Sequence, residues 1–351
     1  MIRIGVVGCG FIGTVHSFAL HQLIAGGLVD ARVAATYDRD AGKARFMAGH
    51  HEGAVAAPTL DACLDAVDAV WVCTWTAGHL EPVEAAAARG MPIFCEKPLA
   101  PDLATAERLA AALCRVPHQV GLVLRHAPVF RTLAAEVASG RHGRVMAAQM
   151  RDDQYLPNQG IYGSTWRDDV SVAGGGTLIE HSIHDIDVLR WVLGDPIDVT
   201  ARTGSLAGHP GIEDTATVLF SYPDGVGATL TSVWHQILSR PSTRRLEVFC
   251  EDALLWTDDD YLGPVHVETG DGVESVEAEL PDWADRFTLD EALTKPLVQY
   301  AEPAKHFLDA LSASGPAARG FPDAPAALAA HRLVDAAYRS AASGGRPVSP
   351  A

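Results

Sequence analysis

The sequence predicts an α/β protein of two domains: an N-terminal doubly wound parallel sheet, then an α+β domain with a large, mostly antiparallel open sheet. Three observations predict it. The first third of the chain alternates short, β-branched apolar runs with Ala-rich helical patterns that carry charges at helical spacing, as strands covered on both faces by helices do. Beyond about residue 125 the texture changes to polar–apolar alternation between Gly, Pro and Asp turns, which suits antiparallel strands with one solvated or interface face. A length of 351 residues, 48% of them hydrophobic and 20% charged, suffices for two cores at roughly 100–200 residues per domain. The boundary is placed between residues 1–124 and 125–351.

The parallel sheet is expected from Ile2–Val7, Ala31–Tyr37, Ala69–Thr74, Met91–Glu96 and His118–Leu124, with a weaker strand near Gly53–Ala57. Gly78–Arg89 and Pro101–Arg115 are among the helices between them, and right-handed crossovers then give the doubly wound arrangement. In the second domain, strands are expected within 143–152, 197–207, 213–222, 225–236, 244–252, 253–259 and 264–269. A helix over Leu178–Leu193 precedes most of them, a second over Ala324–Ser340 closes the chain, and the tail "SGGRPVSPA" is expected to be loosely held.

Composition excludes whole classes of function. Twenty-seven basic against 44 acidic side chains leave a formal charge of −17, which repels phosphate backbones and anionic lipid, so neither nucleic acid nor a membrane surface is an expected partner. No uncharged apolar stretch approaches the roughly 18 residues of a membrane span. Six scattered cysteines without a CxxC pair read as buried small hydrophobes in a reducing compartment. The chain opens directly on a strand, so no leader and a cytoplasmic location are expected.

The most informative local pattern is "GCGFIG", with Gly8, Gly10 and Gly13 between the first strand and its helix. Gly8 permits the turn, Gly10 lets backbone approach a pyrophosphate, and Gly13 lets helix and strand pack closely. The N–H groups around Phe11 and Ile12 then meet the phosphates at the positive end of the helix. Asp38 ends the second strand, 25 residues beyond the third glycine; a carboxylate there accepts both adenine-ribose hydroxyls and repels a 2′-phosphate, favouring NAD. Arg39 follows at once and suits a 2′-phosphate, so NADP stays open.

Lys97, in "CEKP" at the end of the fifth strand, stands where open α/β sheets bind ligands; alone, a strand-end lysine is most often a solvated one. In "GGGTLIEHSIHDIDVLRW" three glycines precede a helical pattern that puts Glu180, His184 and Asp187 on one face at i, i+4 and i+7. A carboxylate and an imidazole one turn apart make a proton relay, and histidine titrates closest to neutrality. His181 and His184 are also spaced for joint metal ligation, but no further His/Cys pair follows, and no metal is expected.

With "TWTAGH" ending in His79, "CEKP", "RHAP" from Arg125, "SGRHGRV" from Ser139, "WRDD" from Trp166, "IHDIDVLRW" and the late "YAEPAKHF", the sequence resembles the Gfo/Idh/MocA oxidoreductases over essentially its whole length. These proteins act mainly on sugars and cyclitols with NAD(P), and "IHDIDVLRW" is nearest to the inositol 2-dehydrogenase branch. The resemblance implies Lys97 as the active-site lysine, His184 as the catalytic histidine, and Glu180 in a position usually held by Asp. It implies further that Thr74, Trp75, His79, Glu96 and Lys97 border the cofactor, and that Arg125, Trp166 and Arg167 join Lys97, Glu180 and His184 in binding substrate. The family's common Thr-Pro-Asn is here Thr74-Trp75-Thr76, and Trp75 either caps the nicotinamide side or fills core.

The expected function is NAD(P)-dependent hydride transfer between nicotinamide and the hydroxyl of a cyclic polyol or sugar. The substrate alcohol is expected between Lys97 and His184, in a homodimer or homotetramer. The alternatives are a keto-sugar or other carbonyl reductase of a biosynthetic pathway and a non-catalytic NAD-binding sensor.

Overall fold

The computed structural model describes residues 1–313 and 321–350. In the first unit the order is β1 (Ile2–Val7), α1 (Phe11–Ala25), β2 (Ala31–Tyr37), α2 (Ala41–Ala48), β3 (Val55–Ala56), α3 (Leu60–Asp65), β4 (Ala69–Val72), α4 (Leu80–Ala88), β5 (Ile93–Cys95), α5 (Leu103–Leu113) and β6 (His118–Val120). The six strands are all parallel in the order β3-β2-β1-β4-β5-β6. The direction of winding reverses between β1 and β4, which makes the carboxyl ends of these strands the ligand crevice of such a sheet. Ile4, Val6, Val70, Val72 and Ile93 are wholly buried, as strands covered on both faces must be.

The second unit holds α6 (Pro128–Ala138), β7 (Val145–Tyr155), α7 (Val170–Ala173), α8 (Thr177–Glu180), α9 (Ile183–Leu193), β8 (Asp198–Gly204), β9 (Thr215–Ser221), β10 (Gly227–His235), β11 (Thr243–Cys250), β12 (Leu254–Thr257), β13 (Val265–Thr269) and β14 (Gly272–Val276). Two helices, α10 (Glu291–Ser312) and α11 (Ala324–Ala342), follow. The eight strands run β14-β13-β12-β11-β7-β10-β9-β8, antiparallel except for the parallel pair β7–β10. Inward residues such as Met150, Phe220, Leu230 and Val248 pack with Phe130 of α6, Ile183 and Ile186 of α9, and Leu333 of α11 in one core.

Four expectations need correction. The chain does not divide once near residue 124: Met1–Ala100, Ala104–Val123 and Pro281–Leu328 group together, and Pro101–Leu103, Leu124–Leu280 and Ala329–Ala351 form the other unit. The returning segment carries α10, which packs along α1 and brings Phe307 against Trp71. The helix expected over Leu178–Leu193 is two helices, α8 and α9, separated at His181 and Ser182. The tail is tied down by paired backbone hydrogen bonds of 2.9 Å between Val199 and Val348. Of the six cysteines, all free, Cys114 is exposed rather than buried. Among the described residues no helix is long and apolar enough to cross a membrane.

Candidate functional site

In the first unit the glycine turn has the form its sequence predicts. Gly8 has φ +94°, a backbone that L side chains rarely adopt, and a Cβ on Gly13 would lie 2.0 Å from the Gly8 carbonyl oxygen. Gly10 caps α1 without a side-chain partner for the first N–H groups, and a Cβ added there would meet nothing within 4 Å. Open space over the N-terminus of a 15-residue helix fits a pyrophosphate. Asp38 is aimed by backbone: its Oδ2 accepts from Cys9 N at 2.8 Å and its Oδ1 from Asp40 N at 2.8 Å. Its remaining lone pairs suit two ribose hydroxyls.

The guanidinium of Arg39 lies over the Trp75 ring, 4.8 Å from its centroid. Trp75 therefore stands beside the end of β2 and, half-buried, does not fill core. Stacked contacts of this kind contribute about 0.5–1 kcal/mol when exposed.

His79 is 1% exposed. Its Nδ1 faces the Pro98 carbonyl at 2.9 Å and its Nε2 that of Thr74 at 3.1 Å, so the ring ties the loop after β4 to the loop after β5. Burial lowers its pKa, against the raising influence of Glu96 and of the carbonyls it faces. Glu96 turns inward: its Oε1 is 2.6 Å from His16 Nε2 and its Oε2 accepts from Lys97 N at 3.1 Å. Burial opposes its ionisation, but His16, by hydrogen bond and charge, and Lys97 together outweigh burial and hold the carboxyl below its ordinary value. His79 and Glu96 thus brace the loops on which Thr74 and the half-buried Lys97 stand. Lys97 follows β5 directly, at the carboxyl end of the sheet.

In the second unit, Glu180 is 2% and His184 7% exposed. Arg167 donates from Nε to Glu180 Oε2 at 3.0 Å and stacks on Trp166, 4.4 Å from the ring centroid. Trp166, Arg167 and Glu180 therefore form one group, and Trp166 rests on the apolar cluster of Leu156, Ala173, Ile212 and Trp234. Arg125 does not join it. Its fork closes on Asp187, Nε to Oδ2 at 2.6 Å and Nη2 to Oδ1 at 2.7 Å, and its face lies 5.5 Å from the Trp191 ring. Buried to 7% exposure, Arg125 ties the segment before α6 to α9.

Three groups of the second unit were not singled out from sequence. Glu213 caps α8, accepting from Gly176 N at 2.7 Å, Leu178 N at 2.9 Å and the Tyr338 hydroxyl at 2.9 Å. Asp152 and Arg244 lie beneath the α8–α9 break. A signal for both was present: Asp152 shares strand parity with Ala148 and Met150, and Arg244 with Leu246 and Val248, so both belong to the inward face.

Comparison with known proteins was made against this geometry. Residues 2–122 match the model of the oxidoreductase family with an NAD-binding Rossmann fold, and residues 130–255 match the GFO/IDH/MocA C-terminal domain. Inositol 2-dehydrogenase of Rhizobium meliloti (strain 1021) is 31% identical across 97% of both chains. The 1,5-anhydro-D-fructose reductase of Ensifer adhaerens is 37% identical over 42% of this chain and 45% of its own. The structure of a levoglucosan dehydrogenase in complex with NADH and levoglucosan superposes with a TM-score of 0.82 at 20% identity, over 99% of each chain.

Proposed function

Because the chain belongs to the Gfo/Idh/MocA family of oxidoreductases and carries an NAD-binding Rossmann domain, we propose that it oxidises a secondary hydroxyl of an uncharged cyclic polyol or sugar. The observation that carries this reading is the burial of a carboxylate and an imidazole in the second unit, Glu180 and His184 at 2% and 7% exposure, with the carboxylate paired to Arg167. A pair so balanced has no net charge to offer an ionic substrate, and the Trp166 face beside it suits the C–H surface of a ring.

His184 accepts the hydroxyl proton, and Lys97 donates a hydrogen bond to the same oxygen, stabilising negative charge as it develops. Glu180 orients His184 or a neighbouring substrate hydroxyl, and Arg167 holds Glu180 in place. Bound NAD supplies the hydride acceptor. Asp38 and the first N–H groups of α1 hold the ribose and phosphates, and Trp75 with Arg39 flanks the adenosine end. The similarity to an anhydrofructose reductase over under half of the chain supports the reverse direction, carbonyl reduction, as the second reading. The same residues serve it, with His184 returning the proton.

Screening inositols, other polyols and sugars with NAD and NADP, followed by absorbance of the reduced nicotinamide, tests the reading. Turnover with at least one neutral cyclic polyol is expected. Nicotinamide binding without turnover of any alcohol or carbonyl would leave a sensor that keeps the nucleotide site.

A further inference from the structure

Ser232 on β10, Asp152 on β7 and Arg244 on β11 are direct cross-strand partners, so they form one polar row across the inner face of the sheet. All three are buried, Ser232 and Asp152 completely and Arg244 to 5% exposure. A buried charged row within an apolar face is costly unless every member is paired. Here each member of the row has a partner at the break between α8 and α9: Ser182 for Ser232, Ser182 and His181 for Asp152, and His181 for Arg244.

His181 and Ser182 are the two residues between those helices, and His181 leaves helical geometry at φ −125°, ψ −62°. Ser182 N bonds back to the Thr177 carbonyl at 2.8 Å, one residue wider than an α-helical step, a π-type feature frequent at functional sites. The row grips both residues. Ser182 Oγ donates to Asp152 Oδ2 at 2.6 Å and lies 2.5 Å from Ser232 Oγ, itself 2.6 Å from Thr177 Oγ1 at the start of α8. His181 Nδ1 is 2.9 Å from Asp152 Oδ2, and its Nε2 is 3.0 Å from Arg244 Nη2. Arg244 reaches further, to Asp185 in the first turn of α9 at 2.7 Å and to Asp260 at 2.9 Å.

Guanidinium nitrogens only donate, so His181 Nε2 accepts from Arg244 and the proton of the neutral ring sits on Nδ1, 2.9 Å from Asp152 Oδ2. Glu180 is the residue before the break and His184 is the second residue of the helix after it. We propose that Arg244 and Asp152 are positioning residues: they fix the break at His181–Ser182, and with it the aim of Glu180 and His184, while locking His181 as the neutral Nδ1–H tautomer, so that this neighbouring histidine does not compete as proton acceptor. The inference rests on the acid–base reading above. The charge of the cluster agrees with it. One guanidinium faces three carboxyls; burial, reinforced by Asp152, holds Asp185 well above its ordinary value, whereas at Asp152 burial is opposed by Arg244 and by the neighbouring hydrogen bonds, which together hold the carboxyl below its ordinary value. Burial raises Asp260 to about 6.

Two measurements test it. Nitrogen-15 histidine NMR of the unmodified protein, with His181 assigned by its loss in His181→Gln, should show an Nδ1–H tautomer that does not titrate between pH 5.5 and 8; an Nε2–H tautomer or a titrating ring overturns the lock. Arg244→Lys keeps the charge but loses the fork, and Asp152→Asn keeps the shape but loses the anion. Each should lower kcat for polyol oxidation by about 10-fold or more, leave the affinity for NAD unchanged and move the ionisation in the pH–kcat profile. Asp185→Asn, which leaves Asp152 beside both His181 and Ser182, should lose less than Asp152→Asn. Folded variants with unchanged kcat and profile overturn the positioning role. A locked His181 in a protein that turns over no polyol would instead overturn the acid–base reading.

Discussion

Cofactor choice rests on Asp38, whose carboxylate is held between two backbone N–H groups. Asp38→Ala removes a ribose acceptor and a charge that repels a 2′-phosphate, so affinity should fall for NAD and fall less, or rise, for NADP. Titration of both cofactors checks this; an unmodified protein that already prefers NADP would contradict it, with Arg39 the reason. Lys97→Met keeps side-chain length and removes the charge, so kcat should collapse while NAD still binds. Near-normal turnover would return Lys97 to the surface. Residues were legible where a short motif defines their surroundings: the glycine turn spans six residues, and Asp38 accepts from Asp40 N and from Cys9 N of that turn. Arg125 was not, because what decides its role is Asp187, 62 positions further along.

At the scale of elements, β1 and β2 coincide with the apolar runs Ile2–Val7 and Ala31–Tyr37, since strands covered on both faces leave unbroken apolar sequence between turns. The 22-residue α10 was not read, because Pro296 and Pro303 lie inside it and an interior proline costs about 3 kcal/mol. Burial of Leu297, Ala301, Ala304, Phe307 and Leu308 offsets that cost. The α8–α9 break was also illegible: Ile179, Ile183 and Ile186 keep helical spacing across it, and the side chains that impose it come from β7, β10 and β11. The orientation of α9 depends further on Arg125. Arg125→Ala leaves Asp187 ionisable and 1% exposed, which should cost about 3–5 kcal/mol of stability. Denaturant unfolding measures this; unchanged stability with a raised KM for substrate would make Arg125 a binding residue instead.

For the whole molecule, among the described residues the helices of the second unit pack on the inner face of its sheet. Leu219 (42% exposed) and Phe249 (37%) point from the opposite face, and their outward rows run through Thr229, Gln149 and Glu247, and through Gly227 and Ala147. We propose that copies of the chain pair across this face, burying apolar side chains that a monomer with a formal charge of −17 would leave in water. Light scattering should give a mass of two or four times 37.2 kDa, reduced by Leu219→Lys combined with Phe249→Lys. A monomer at micromolar concentration would contradict the proposal. The alternation of the strands made this face visible in sequence. The return of Pro281–Leu328 to the first unit was not, because it depends on which surface α10 finds and not on its own pattern.

The central claim, that His184 accepts the substrate proton, is tested most directly by the pH dependence of polyol oxidation in the unmodified enzyme and in His184→Ala. A general base contributes about 10²–10⁴-fold, so the variant should lose activity in that range at neutral pH, and the ionisation governing the unmodified rate should vanish. Glu180→Gln should lose less and shift that ionisation downward, because an anion that steadies the imidazolium is gone. Survival of the same ionisation in His184→Ala would contradict the account and transfer the proton to another group, with Lys97 the first to examine.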